Sequence, residues 1–370
     1  MSRDDERDVA MGGLWRSSGH LGGQERSRRE FLASVAALGM TAAVINGSPA
    51  QNTATSARPP LIDVHHHIFP PAFLVAAKNA FSTPASRARL VSEWTVQKAL
   101  AQMDDSGVAT AIVSITSPGI WFGNVQAARS LARSCNEYAA QRVRDYPGRF
   151  GFFATVPLPD TDGSLREIAY ALDVLKADGI GLLTSYGDKW PGNVAYARVF
   201  DELNRRKAVV YFHPTAPNCC QNLIAEVPDA LTEFPHDTTR AITSLLYSGS
   251  FARFRDIHFI FSHAGGTIPM LAGRIIQTGG ALFGIDKNVP NGVEYELKRL
   301  HYEIANSTNR PAMTALMNLV PTTQIMFGTD CPFVPTEVTA AGMMSLGVSG
   351  DDLRMIGRNN ALTLFPRLRA

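Results

Sequence analysis

From Leu61 onward the chain alternates two hydrophobic rhythms. Short β-branched and aromatic runs, such as Leu61-Ile62-Asp63-Val64 and Phe259-Ile260-Phe261, are separated by longer segments whose apolar positions recur every three to four residues. The runs predict strands over 61–66, 109–115, 150–156, 179–184, 208–213, 257–262, 301–305 and 324–329. The amphipathic segments predict helices near 95–106, 124–145, 163–177, 193–207, 237–254, 267–282, 309–319 and 351–364. Strand–helix alternation implies a parallel sheet covered by helices. Eight such units over 61–370 suit an α/β fold closed into a (β/α)8 TIM barrel. The open, doubly wound sheet is the main alternative, but no GxGxxG follows the first strand. Local punctuation agrees with the barrel. Asp178-Gly179 ends a helix, Asn193 can cap the helix entering at Ala195, and Gly265-Gly266 permits a tight turn after the sixth strand. The first strand–helix connection, roughly 68–93, is long and proline-bearing, as loops that cover a site often are.

The first fifty residues read as an address. Ser27-Arg28-Arg29-Glu30-Phe31-Leu32 matches the twin-arginine export pattern, a modest apolar stretch runs to Ile45, and Ser48-Pro49-Ala50 offers small residues for cleavage. Residues 1–50 are therefore expected to be a twin-arginine signal peptide, 51–60 a linker and 61–370 the barrel. That would put the mature chain in the periplasm or outside the cell; a non-functional leader would leave it in the cytoplasm.

Composition narrows the partners. With 35 basic and 33 acidic side chains the net charge is +2, too small a surplus for a nucleic-acid partner. No stretch past the leader is long and apolar enough to span a membrane. The cysteines, at 135, 219, 220 and 331, form neither a CxxC nor a disulfide framework, and read as buried or free thiols.

The chemistry sits at the strand ends. His65 and His67 close the first strand, His213 the fifth, His263 the sixth and Asp330 the eighth. In a barrel these ends meet at one face. His65 and His67, two apart, point to the same side, and His66 points outward against the helix layer. His65, His67, His213 and Asp330 together describe one catalytic divalent-metal site, most consistent with zinc, with an open position for water. His263, the remaining inward-pointing imidazole, is expected beside it as acid and base, with a fifth ligand as the alternative, and Asp330 offers a second proton route through water. The fourth strand carries no lysine to bridge a second ion. His20, His236, His258 and His301 read as structural or surface residues.

These motifs resemble the amidohydrolase superfamily, in the branch of aminocarboxymuconate semialdehyde decarboxylase and the related aromatic-acid decarboxylases. The resemblance rests on Ile62-Asp63-Val64-His65-His66-His67-Ile68-Phe69-Pro70, Tyr211-Phe212-His213-Pro214, Ser262-His263-Ala264-Gly265-Gly266 with Gly273-Arg274, and Phe327-Gly328-Thr329-Asp330-Cys331-Pro332-Phe333. Within the branch, Thr116-Ser117-Pro118-Gly119-Ile120-Trp121-Phe122-Gly123, Gly181-Leu182-Leu183-Thr184-Ser185-Tyr186-Gly187-Asp188 and the segment from Phe212 to Cys220 are similar to the 6-methylsalicylate decarboxylase group. The resemblance implies zinc or manganese on His65, His67, His213 and Asp330. It implies a homodimer in which Arg274 reaches a substrate carboxylate across the interface, and Phe333 lining the pocket. Where the semialdehyde enzyme carries arginines after the first loop, this chain reads Val96-Gln97-Lys98-Ala99-Leu100, which argues against a two-carboxylate substrate. The expected activity is metal-dependent decarboxylation of an aromatic or conjugated carboxylic acid, with Trp121 and Phe333 holding the ring. The alternative is hydrolysis of a lactone, ester or amide by the same site.

Overall fold

Eight strands hydrogen-bond in chain order, each parallel to the next. They are β1 (Leu61–His67), β2 (Val108–Ser114), β3 (Phe150–Thr155), β4 (Gly179–Leu183), β5 (Val209–His213), β6 (His258–Phe261), β7 (His301–Glu303) and β8 (Ile325–Met326). The structure, a computed structural model, describes residues 60–81 and 85–369. The expected leader and all but the last residue of the expected linker lie outside them.

The strand β8 is short because the chain beyond it closes the barrel with single contacts. Val64 N–H donates to Phe327 O at 3.0 Å, Asp330 N–H to His65 O at 2.8 Å, and His67 N–H to Cys331 O at 2.9 Å. The result is the (β/α)8 barrel that the alternation predicts.

Two apolar layers hold it together. The outer one lies between strands and helices and includes Phe152, Leu182, Phe212, Ile242 and Leu245. The inner one fills the barrel with Ile62, Val64, Ile112, Phe153, Tyr211, Ile260 and Met326, and Phe365 and Leu368 from the C-terminus plug its floor. Each such side chain contributes about 1.5–3 kcal/mol on burial. The inner layer exposes a feature of β1. Its register against β2 shifts between Asp63 and His66, and a shift of this kind reverses the side-chain parity. Ile62 and Val64 therefore face the core, while His65 and His67 also face inward one layer higher.

The helices occupy the expected intervals, with differences at their ends. One begins at Asp229 rather than near 237, and carries Pro235 inside it. Proline lacks the N–H that would bond the carbonyl four residues earlier, yet the helix runs through it. Here the Pro235 carbonyl instead accepts from the Thr239 hydroxyl at 2.9 Å. Four helices fell between the expected ones: Pro71–Ala76, Ala85–Ser92, Val293–Arg299 and Thr336–Met344. The second of these brings Arg87 to the mouth of the barrel, where it donates to Ser117 O. Asn193 does cap the turn Val194–Tyr196, accepting from Ala195 N–H. The thiols of Cys135, Cys219, Cys220 and Cys331 are free. Among the described residues no helix is long and apolar enough to cross a membrane.

Candidate metal centre and its surroundings

His65, His67, His213 and Asp330 are brought to one point at the C-terminal mouth, all buried, with their ligand atoms within 4.8 Å of one another. His67 Nε2 stands 3.2 Å from His65 Nε2, 3.3 Å from His213 Nε2 and 2.9 Å from Asp330 Oδ1.

The other nitrogen of each ring is spoken for. His65 Nδ1 lies 2.8 Å from Glu303 Oε1, His67 Nδ1 3.2 Å from Ser114 O, and His213 Nδ1 2.7 Å from Pro214 O. A carboxylate or carbonyl oxygen only accepts, so each Nδ1 carries the proton and each Nε2 presents a lone pair inward. Four acceptor atoms thus converge. Among the described residues the one hydroxyl near a converging nitrogen is that of Thr116, 3.4 Å from His213 Nε2.

Such a point requires positive charge. Burial opposes protonation of His65, yet Glu303 and Asp330 outweigh it and raise its pKa to about 10. Burial lowers the pKa of His67, and lowers that of His213 further with help from the neighbouring imidazoles. Burial would favour a neutral Asp330, but His65 foremost holds its carboxyl well below the usual range. A divalent ion supplies that charge without a proton. Donors about 2.0–2.1 Å from a tetrahedral ion stand roughly 3.4 Å apart, close to the separations seen. The donor set therefore fits a metal.

Backbone strain aims two of these groups. Asp330 has φ +65°, and His263 and Ala264 have φ +54° and +57°, conformations that disfavour any side chain with a Cβ. Gly265 and Gly266 continue the turn at +76° and +65°. A Cβ on Gly265 would lie 2.7 Å from the Tyr302 ring, so the turn predicted there admits only glycine. His263 is consequently held beside the cluster, its ring 5.0 Å from that of His65 and its Nδ1 3.0 Å from Ala305 O. Its Nε2 is the atom left to exchange a proton.

Several residues that organise the site were not anticipated. Glu303 is fully buried at the end of β7; its Oε1 accepts from His65 Nδ1–H and, at 2.7 Å, from His263 N–H, while Oε2 accepts from Ala305 N–H at 2.6 Å. Burial favours its neutral form, but His65 and His263 keep its pKa below the ordinary value. Gly328 makes room for it, since a Cβ there would come within 2.3 Å of Glu303 Oε2. Asp63 ties β1 to the closing loop, accepting from His65 N–H at 2.9 Å and from the Thr329 hydroxyl at 2.6 Å. It also meets His66 Nδ1 at 3.0 Å, the single hydrogen bond of a histidine that faces away from the cluster. Asn306 donates to Asp330 Oδ2 at 2.8 Å, leaving Oδ1 for the shared point. A lone carboxylate in Tyr302-Glu303-Ile304, at the end of a predicted strand, was the available sign for Glu303.

The expected substrate contacts divide. The Phe333 ring packs 5.4 Å from that of His67. Trp121 is partly exposed in the loop after β2, and no contact joins it to the cluster. Arg274 is exposed on the helix Ile268–Phe283, and within one chain its side chain does not enter the site. The reason is its place on the outer face of a helix that leaves the barrel rim. The cation at the mouth is instead Arg87, from the helix Ala85–Ser92. Its guanidinium lies 5.1 Å from the Phe81 ring and 5.5 Å from the Phe333 ring, donates to Ser117 O at 3.4 Å, and pairs with no carboxylate among the described residues. Burial lowers its pKa, and the field of Asp330 partly offsets that.

Comparisons with known proteins agree with this architecture. The family model described as amidohydrolase matches residues 62–367. Decarboxylase macB of Penicillium terrestre is 35% identical over 327 residues, covering 83% of this chain and 95% of that protein. The 6-methylsalicylic acid decarboxylase acuB of Aspergillus aculeatus is 36% identical over 326 residues, covering 83% and 96%. A solved dihydroxybenzoic acid decarboxylase from Polaromonas, with bound manganese and the inhibitor 2-nitroresorcinol, shares the fold. Its TM-score is 0.72 at 20% identity, covering 84% of this chain and 98% of that one. The chain therefore belongs to the amidohydrolase family.

Proposed function

We propose that this protein is a metal-dependent, non-oxidative decarboxylase of a hydroxylated aromatic carboxylic acid, 6-methylsalicylate or a similar hydroxybenzoate. The observation that carries the reading is the convergence of three imidazole Nε2 atoms and Asp330 Oδ1 beside His263. It occurs in a chain 35–36% identical over most of its length to proteins named decarboxylases.

In this reading His65, His67, His213 and Asp330 hold one ion, zinc by donor type, with manganese the alternative. When bound, the ion supplies Lewis acidity toward the carboxylate and neighbouring hydroxyl of the substrate. His263, steadied through Nδ1, delivers a proton from Nε2 to the ring carbon that bears the carboxylate. The bond from that carbon to the carboxylate carbon then breaks. Its electron pair restores the aromatic ring, and carbon dioxide leaves. Proton delivery of this kind contributes about 10²–10⁴-fold. Arg87, a part-buried cation without an anionic partner, orients the incoming carboxylate, and Phe333 covers one face of the ring.

Two further parts of the reading concern setting. Homodimerisation is supported by Met270, Leu282 and Phe283, which are 75%, 71% and 67% exposed along the helix that carries Arg274. Arg274 would then serve a second copy, and a monomer at micromolar concentration in sedimentation would remove that role. Export by the twin-arginine route rests on the leader sequence. A mature chain starting after Ala50 outside the cytoplasm would support it, and an intact chain retained inside would count against it.

The test of the reaction is direct. Bound metal is measured on purified protein, which is then incubated with hydroxybenzoic acids and simple lactones while carbon dioxide and product mass are followed. Carbon dioxide from a hydroxylated aromatic acid, lost in His263→Ala, supports the decarboxylase. Lactone opening without carbon dioxide would transfer the assignment to hydrolysis.

A further inference from the structure

The barrel mouth has a second space. On the side of β2 to β5 an open recess adjoins His213, walled by Ile115, Ile120 and Leu183. It exists because β4 places Gly181 between Thr155 and Tyr211 in register. At Gly179 a Cβ would collide with Val209 O at 2.5 Å, so glycine there serves close backbone approach. At Gly181 a Cβ would meet nothing closer than Phe153 Cβ at 3.4 Å, an ordinary contact. The missing side chain at Gly181 leaves room.

Four hydroxyl-bearing residues line this recess, Ser114, Thr155, Tyr186 and Tyr211; the Tyr186 hydroxyl accepts from Leu183 N–H, and Ser114 and Tyr211 are only 4% and 0% exposed. Ser114 Oγ and Tyr211 Oη are both buried, and neither has a hydrogen-bond partner among the described residues. A buried polar group left unpaired carries the full penalty of its lost hydration, so these two hydroxyls, on residues that line one recess, are the groups a polar ligand atom there would satisfy. The apolar wall fits the face and edge of an aromatic ring.

We propose that this recess receives a substituent of the substrate ring, and that the Ser114 and Tyr211 hydroxyls select a hydroxyl group there over a methyl group of similar size. The proposal rests on the decarboxylase reading, since it takes the substrate to be anchored at the four-ligand point beside His213. A site built to hydrogen-bond a substrate oxygen rejects the analogue lacking it far more strongly than an apolar pocket rejects an added one.

The experiment uses the metal-loaded enzyme with salicylates that bear either a hydroxyl or a methyl group at each open ring position in turn. Carbon dioxide release gives kcat/KM for each member of each pair, and calorimetry gives its affinity. At one ring position the hydroxyl member is expected to be favoured by about tenfold or more, and Ser114→Ala or Tyr211→Phe to reduce that ratio by about tenfold. Ser114→Ala keeps the backbone carbonyl that His67 uses, so it tests the hydroxyl alone. Gly181→Ala, which narrows the recess, is expected to weaken both members of the sensitive pair and spare unsubstituted salicylate. Circular dichroism confirms that each variant is folded. Preference for the methyl member at every position, or ratios unmoved by both hydroxyl deletions, would overturn the proposal. If no compound releases carbon dioxide while the affinity ratios still move in the variants, the decarboxylase reading fails and the subsite stands. If neither turnover nor affinity responds, both fall.

Discussion

The two sides of the barrel mouth are built on opposite principles. Around β1, β7 and β8 the functional polar groups are paired: His65 Nδ1 and His263 N–H with Glu303, Asp330 Oδ2 with Asn306, Thr329 with Asp63. On the β2–β5 side, Ser114 and Tyr211 keep unpaired hydroxyls and Gly181 keeps an empty volume. The paired side is rigid before anything binds, which is what a metal site needs, because ligands displaced by a fraction of an ångström lose affinity. On the reading proposed above, a ligand completes the unpaired side. Strand β5 joins the two sides, since it carries both His213 of the four-residue cluster and Tyr211 of the recess.

Breaking the paired side has the largest effect. His67 is the hub of the cluster, its Nε2 within 3.3 Å of both other imidazoles and 2.9 Å from Asp330 Oδ1. His67→Ala is expected to abolish stable metal binding in elemental analysis. Losing several kcal/mol of charge stabilisation lowers turnover by about 10³-fold or more. Full metal content in that variant would refute the shared point.

Glu303→Gln probes the same side one step removed. The substituted side chain would keep the shape, but its amide would set an N–H₂ against one of the three donors that now meet the carboxylate. The expected loss is about 10–100-fold in metal affinity, read by competition with a chelator. Unchanged affinity would mean that Glu303 only supports the fold.

Arg87→Gln moves to the border between the two sides. Removing a charge-assisted contact to the substrate carboxylate is expected to raise KM about tenfold, with a smaller change in kcat and none in metal content. Equal loss from Arg274→Gln, and none from Arg87→Gln, would return the carboxylate contact to the helix Ile268–Phe283.

The contrast also explains what was legible in the sequence. His65, His67, His213 and Asp330 could be read because each ends an apolar strand, and the barrel rule brings strand ends together. Their supports were harder to see. Asp63 lies before the register shift in β1, where parity no longer tells inside from outside. Asn306 and Arg87 stand in connecting segments, where no periodicity applies. Arg87 sits on a helix of eight residues inside what read as a loop. The recess was invisible because it is an absence: a glycine in a strand usually signals a bulge or a close approach, and only the packing around Gly181 shows that it leaves space.

Asn306 gives the smallest and finest test. It donates one hydrogen bond to Asp330 Oδ2, and its own φ of +57° is one that asparagine and glycine tolerate better than other residues. Asn306→Ala would combine a lost hydrogen bond with backbone strain, so the two causes would be confounded. Asn306→Gly removes the donor and relieves the strain. A single hydrogen bond to a charged acceptor at an exposed position is worth about 1 kcal/mol, so metal affinity should fall only about fivefold while thermal stability stays nearly constant. If Asn306→Gly binds metal as tightly as the wild type, Asp330 is oriented by its own strained backbone and not by this contact. Pairing on the rigid side would then be redundant at that point, and the strain at Asp330 would be the device that holds Oδ1 in place.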